Sequence, residues 1–171
     1  MMKNALKIGI NGRALLKPFT GIGQYTKNLI GALAEIDKEN EYILVVPQKL
    51  SDNVAGGSAV ARFFPKNVSV KVLPEKKFPL AGMRKTWWEQ ISLVEFFLAE
   101  KIDVAFFPYP ANPWSKDWYK KIGRTIVTVH DCIPWTLSDY RRGLAAKMYH
   151  AQTKKAVRLS HEKANLTCRS G

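Results

Sequence analysis

The run Tyr42-Ile43-Leu44-Val45-Val46 has no polar break and is closed by Pro47. A strand with one wet face alternates polar and apolar residues. An unbroken run suits a strand buried on both faces, as in parallel sheets covered by helices on each side. Other segments fit the same plan. Ile8 to Ile10 predicts a short first strand that stops at Asn11-Gly12-Arg13. Val68, Val70 and Val72 alternate with polar residues and end at Pro74, predicting a third. "DVAFF" from Asp103 and "RTIV" from Arg124 predict two more. Between them, apolar residues recur every three or four positions. Ile22, Tyr25, Leu29, Leu33 and Ile36 make one helical face; Trp87, Ile91, Val94 and Leu98 a second; Tyr140, Leu144, Met148 and Ala151 a third. Residues 48–67 and 75–85 read as loops. Strands alternating with helices predict an α/β domain with a mainly parallel sheet and helices on both faces, a single domain over residues 1–171.

Lys and Arg outnumber Asp and Glu by 27 to 14, a formal charge of +13. Such a field favours an anionic partner, although a solvated basic face has the same composition. Nucleic acid is not expected: the basic residues spread along loops and helices and frame no binding motif. Arg84 and Lys85 sit beside Trp87 and Trp88, and Lys116, Lys120, Lys121 and Arg124 form a second cluster. If the tryptophans face outward, the first group suits an anionic membrane surface or a lipid-linked phosphate; if they face inward, its charges are merely solvated. No signal peptide or bilayer-length apolar run of ~20 residues is expected. Cys132 and Cys168 make no disulfide framework, so a cytoplasmic setting is expected, extending to the inner face of a membrane.

Ligands of open parallel sheets bind beyond the carboxyl ends of the strands. Three such ends carry unusual residues. After the first strand, Gly21-Ile22-Gly23 opens a helix. Backbone N–H groups there can meet a phosphate or a sugar, but a tight strand-to-helix turn also calls for glycine. The spacing is not the G-x-G-x-x-G dinucleotide fingerprint. The second end is Phe107-Pro108-Tyr109-Pro110-Ala111-Asn112-Pro113-Trp114, a stiff loop whose aromatic faces suit either a sugar or loop packing. The third is His130-Asp131-Cys132, where the imidazole can hydrogen-bond, carry a proton or serve structure alone. His130, His150 and His161 lack metal-ligand spacing, and no G-x-S-x-G motif is present.

Together, "INGRALLKPFTGIGQYTKNLIGAL", "DVAFFPYP" and "IVTVHDCIPW" resemble the N-terminal half of group 1 (family 4) retaining glycosyltransferases, in the style of bacterial mannosyl- and rhamnosyltransferases. The likeness covers about residues 7–160. It implies the GT-B architecture, with two Rossmann-like domains facing across a cleft, and needs no metal or other cofactor. The N-terminal domain holds a glycan or lipid-linked acceptor, and the C-terminal domain holds the nucleotide-sugar. By this resemblance, Gly21, Ile22 and Gly23 lie near the donor diphosphate. His130 lines the site near the transferred sugar as its catalytic histidine. Asn11, Arg13, Tyr109 and Asp131 serve the acceptor. The sequence ends in "RLSHEKANLTCRSG", where the family continues toward its second domain. The resemblance therefore implies an excised domain, a truncated product or one half of a split enzyme whose partner chain supplies the other wall. Such a chain is expected to be inactive alone. The alternative is a binding or regulatory module that keeps the fold without the chemistry.

Overall fold

The computed structural model describes residues 5–50, 64, 66–77, 81–111, 115–122 and 124–130, with 143, 147, 150, 151, 153–155 and 157–159 nearer the C-terminus. For residues 81, 82, 116, 119 and 120 it describes the backbone alone. The strands are β1 (Lys7–Asn11), β2 (Glu41–Val46), β3 (Val68–Val72), β4 (Val104–Phe107) and β5 (Arg124–Val127). All pair in parallel, in the order β3-β2-β1-β4-β5. The register sets Ile10 between Leu44 of β2 and Phe106 of β4. This is a Rossmann-like α/β sheet.

The sheet explains the apolar run. Tyr42, Leu44 and Val46 point to one face, where they meet Ile10, Leu15, Phe106 and, from helix α1 (Gly21–Ile36), Ile30 and Ala34. Ile43 and Val45 point to the other face and join Phe97, Ala105, Phe107 and Trp88. That second face is covered by a helical segment in three parts. Helix α2 (Ala81–Trp87) passes through a π-helical turn (Trp88–Ser92) into α3 (Leu93–Ala99). Both layers exclude water from β2, so neither parity of its side chains can be polar.

Three features depart from the expectations. Helix α2 begins at Ala81, inside the segment read as a loop; Gly82 and the run of polar residues hid its start. A short helix α4 (Lys116–Lys121) follows the aromatic loop, too brief for a periodic signal. Nearer the C-terminus, Ala151 is exposed, while His150, Thr153 and Leu159 are buried. Of the third apolar stripe, Ala151 is described, and it lies outside the buried set. Tyr140, Leu144 and Met148 lie outside the described residues. Among the described residues, no helix is long and apolar enough to cross a membrane.

Asp37 ends α1 and ties it to the sheet. Its Oδ2 accepts from the Tyr42 hydroxyl at 2.6 Å and from Asn40 Nδ2 at 2.7 Å. Its Oδ1 accepts from the Glu39 and Asn40 backbone N–H groups. The Tyr42 bond, followed by those of Asn40, holds the carboxyl down at about 2. A lowered folded value stabilises the domain above the ordinary 3.8, and this contribution is lost as pH falls toward 2. Asp37→Asn should therefore flatten the pH dependence of stability between about 4 and 2. Unfolding midpoints measured across that range, variant against wild type, check it; parallel curves contradict the assignment.

Candidate functional site

The loop after β1 is built from its own backbone. Gly12 N–H donates to the Val45 carbonyl at 2.8 Å, and Asn11 Oδ1 accepts from the Arg13 N–H at 3.1 Å. One 3-10 turn (Arg13–Leu16) follows. Thr20 then caps α1. Its hydroxyl accepts from the Gly23 N–H at 3.2 Å and donates to the Lys17 carbonyl at 2.8 Å. The two glycines of this loop differ. A Cβ on Gly23 would lie 2.4 Å from the Lys17 carbonyl oxygen, so the loop packs directly on the helix there. A Cβ on Gly21 would meet nothing within 4 Å.

The carboxyl ends of β1, β4 and β5 open into one cavity of about 450 Å³. Arg13, Lys17 and Ile22 line it from the first loop and α1, Tyr109 and Pro110 from the end of β4, and Val129 and His130 from the end of β5. Lys85 of α2 and the buried pair His150 and Thr153 complete the wall. Three cationic side chains thus face one space. It also lies beside the first turn of α1, whose free N–H groups carry about half a positive charge.

His130 is held by its surroundings. Its Nε2 lies 2.7 Å from the Pro108 carbonyl oxygen, and its ring meets the Tyr25 ring edge-on at 4.8 Å. A carbonyl can only accept, so Nε2 carries the proton. In the neutral imidazole Nδ1 is then left as an acceptor. Tyr25 is fixed in turn by a 3.1 Å contact between its hydroxyl and the Thr128 hydroxyl.

Behind the cavity wall lies a charged network. The Tyr109 hydroxyl donates to Glu89 Oε1 at 2.6 Å. Arg13 pairs with Glu75, lies 4.0 Å from Glu89 Oε1 through Nε, and stacks its guanidinium 5.7 Å from the Trp88 ring centroid. The Lys85 ammonium lies 5.6 Å from the centre of the Tyr109 ring. Burial raises the Glu89 carboxyl, although Lys85, Tyr109 and Arg13 pull it back. Burial and the Glu89 carboxylate raise the Tyr109 phenol. Asn11 is fully buried. Among the described residues its Nδ2 has no partner at hydrogen-bonding geometry, though Asn11 lies close enough to Tyr109 to oppose that rise.

Of the residues singled out in the sequence, Arg13, Ile22, Tyr109 and His130 meet in the cavity wall. Gly21 is exposed beside Ile22. Asn11 and Gly23 are buried and do not line the cavity. Asp131 lies outside the described residues, as do Asn112, Pro113 and Trp114. Trp88 does not face outward. It is fully buried, and its Nε1 donates to the Leu73 carbonyl at 2.6 Å. Trp87 is half-buried under Lys76. Among the described residues, the exposed large apolar side chains include Phe19 (87%) of the first loop, Met83 (50%) of α2 and Ile22 in the cavity wall. The side chains of Lys116 and Lys120 lie outside the description, while Lys121 and Arg124 are exposed.

Sequence reasoning passed over Lys17, Glu89, His150 and Thr153 as site residues. A lysine four residues before Gly21 was a usable signal for Lys17. Glu89 had a weaker one, an acid set next to tryptophan in an apolar stripe. Nothing local marked His150 or Thr153. Among the described residues, no group of three His, Cys, Asp or Glu side chains is placed to hold a metal ion. Compared with known protein families, with curated proteins and with solved structures, the chain has no match.

Proposed function

We propose that this domain is the acceptor-binding half of a retaining glycosyltransferase, working on a sugar passed from a nucleotide-sugar to a glycan or lipid-linked acceptor. The observation that carries the reading is convergence. Three segments that resemble the family, far apart in sequence, contribute Ile22, Tyr109 and His130 to a single cavity at the carboxyl edge of a parallel sheet. The chemistry of the wall suits a sugar phosphate. Lys17, Lys85 and the start of α1 favour anionic oxygens. With Nε2 turned to the Pro108 carbonyl, His130 Nδ1 of the neutral ring can accept from a sugar hydroxyl. As a glycosyl bond to a diphosphate breaks, negative charge gathers on the leaving oxygen, and pre-placed cations and N–H groups stabilise it. A second Rossmann-like domain would hold the nucleotide, in the same protein or in a partner chain. A lipid-linked acceptor would bring Phe19, Met83, Arg84 and Lys85 to an anionic membrane face.

Amide NMR tests this reading. UDP-glucose, GDP-mannose and a short-chain polyprenyl diphosphate sugar are titrated separately into the purified 171-residue chain. We expect the polyprenyl probe to move the amides of Lys17 and of residues 19–23 together with those of Tyr109 and His130. Lys17→Gln removes one charge-assisted contact of about 1.5–3 kcal/mol and should weaken binding roughly tenfold or more. Presenting the probe in anionic vesicles should tighten binding relative to neutral ones. An absence of shifts at millimolar concentration of all three probes overturns the assignment, as do shifts confined to another part of the sheet.

A further inference from the structure

We propose that Glu89 is a positioning residue, a buried carboxylate that holds the Tyr109 phenol and the Arg13 guanidinium in the cavity wall. Its importance for ligands rests on the cavity being the binding site proposed above; its hold on the two side chains does not.

The geometry is convergent. Glu89 sits in the π-helical turn next to Trp88, and both are buried. One oxygen, Oε1, faces two cavity-lining groups that come from different strand ends. Tyr109 follows β4 and donates to it at 2.6 Å, and Arg13 follows β1 and lies 4.0 Å away. The short bond fixes the Tyr109 phenol; Arg13, which also pairs with Glu75 and stacks on Trp88, takes from Glu89 a longer-range attraction. The wide π turn belongs to a class that often marks functional positions in helices.

The charged and titratable groups around Glu89 are Lys85 on its own helix, Arg13, Tyr109, and Glu75 after β3. Their summed pull does not offset burial, so the Glu89 carboxyl is raised. The sign follows. A raised folded value means the contribution to stability is complete below the ordinary 4.5 and is lost as pH rises through the folded value. At higher pH the ionised group costs the fold stability. Glutamine has the same shape and no charge, and would serve a purely structural role better. Glu89 instead presents a carboxylate oxygen to both neighbours.

The test uses the 171-residue chain with Glu89→Gln, Tyr109→Phe and the double variant. In the ligand-free proteins, NMR follows the Tyr109 Cζ through alkaline titration and the Arg13 Nε–H signal, and melts are recorded at neutral and mildly acidic pH. Inorganic pyrophosphate is the binding probe. We expect E89Q to melt at or above the wild-type temperature at neutral pH. Its Tyr109 should ionise at lower pH than in the wild type, because the neighbouring negative charge is gone. The Arg13 signal should shift, while its Glu75 pair and the Trp88 ring keep it distinct from exposed arginines. Pyrophosphate binding should weaken roughly tenfold, with losses in E89Q and Y109F that do not add, as expected for groups acting as one unit. Unchanged Tyr109 and Arg13 signals in E89Q overturn the proposal, as does an E89Q chain that fails to fold, since Glu89 would then serve the fold. If the wild type binds neither pyrophosphate nor any sugar diphosphate, the transferase reading fails, while the two spectra still decide what Glu89 does.

Discussion

Trp88→Ala should lower the stability of the domain by about 3–5 kcal/mol, the range for truncating a large buried aromatic. The side chain is fully buried in the layer between the sheet and the α2–α3 segment, among Phe97, Phe107 and Val45. It cannot be replaced by a shift of neighbours without moving β2. The loss is not only apolar. Trp88 Nε1 donates to the Leu73 carbonyl at 2.6 Å, where the chain leaves β3. Trp88→Phe keeps much of the packing and leaves that carbonyl without this partner, which should cost about 1–3 kcal/mol by itself. The ring also supports Arg13, whose guanidinium lies over it. Both variants should therefore loosen the cavity wall as well as the core. A domain this size has roughly 5–15 kcal/mol of stability in all, so the alanine variant should melt well below wild type. Chemical denaturation measures the difference directly; a change under about 1 kcal/mol for alanine contradicts the packing described here.

The second large effect separates the two glycines before α1. Gly23→Ala places a methyl group 2.4 Å from the Lys17 carbonyl oxygen, 3.1 Å from Pro18 Cα and 3.2 Å from the Ala14 carbonyl oxygen. These are backbone atoms, so relief requires the loop to lift off the helix. Overpacking of that kind costs about 1–3 kcal/mol, and loss of the Thr20 cap adds roughly 1 kcal/mol. Gly21→Ala meets open space and should leave the melting temperature within a degree or two of wild type, about 0.5 kcal/mol either way. Binding should report the opposite order of meaning. In G23A, affinity for a sugar diphosphate falls together with stability. In G21A, a fall in affinity at constant stability marks the place where ligand approaches backbone. Melts and titrations of the two variants side by side read both. A stable G23A, or an unstable G21A, contradicts the geometry of the loop.

The strands were legible because burial on two faces leaves an unmistakable trace. Tyr42 to Val46 has no polar residue to spare for either side, and β2 lies inside a parallel sheet, between β1 and β3, with both faces covered. Helix α1 was legible for a related reason. Its buried stripe is long enough for periodicity to show, although its most buried positions, Gly23, Thr26, Ile30 and Ala34, sit one step from the bulky residues that marked it. Arg13, Ile22, Tyr109 and His130 were visible as strand-end residues, because parallel sheets place such ends along one edge. What each side chain does there was decided by tertiary structure. Gly21 and Gly23 are identical in sequence terms, and only the loop folded back on α1 distinguishes them. Trp87 and Trp88 are adjacent, and the π turn and the Leu73 carbonyl determine that Trp88 goes inside. His150 enters the cavity wall where apolar spacing pointed to Ala151. The network of Arg13, Glu75, Glu89 and Tyr109 joins four segments whose proximity follows from strand order and register. Local sequence records which residues must leave water. Which polar groups they meet there is set by contacts between distant segments, and for Glu89 those contacts matter more than anything beside it in the chain.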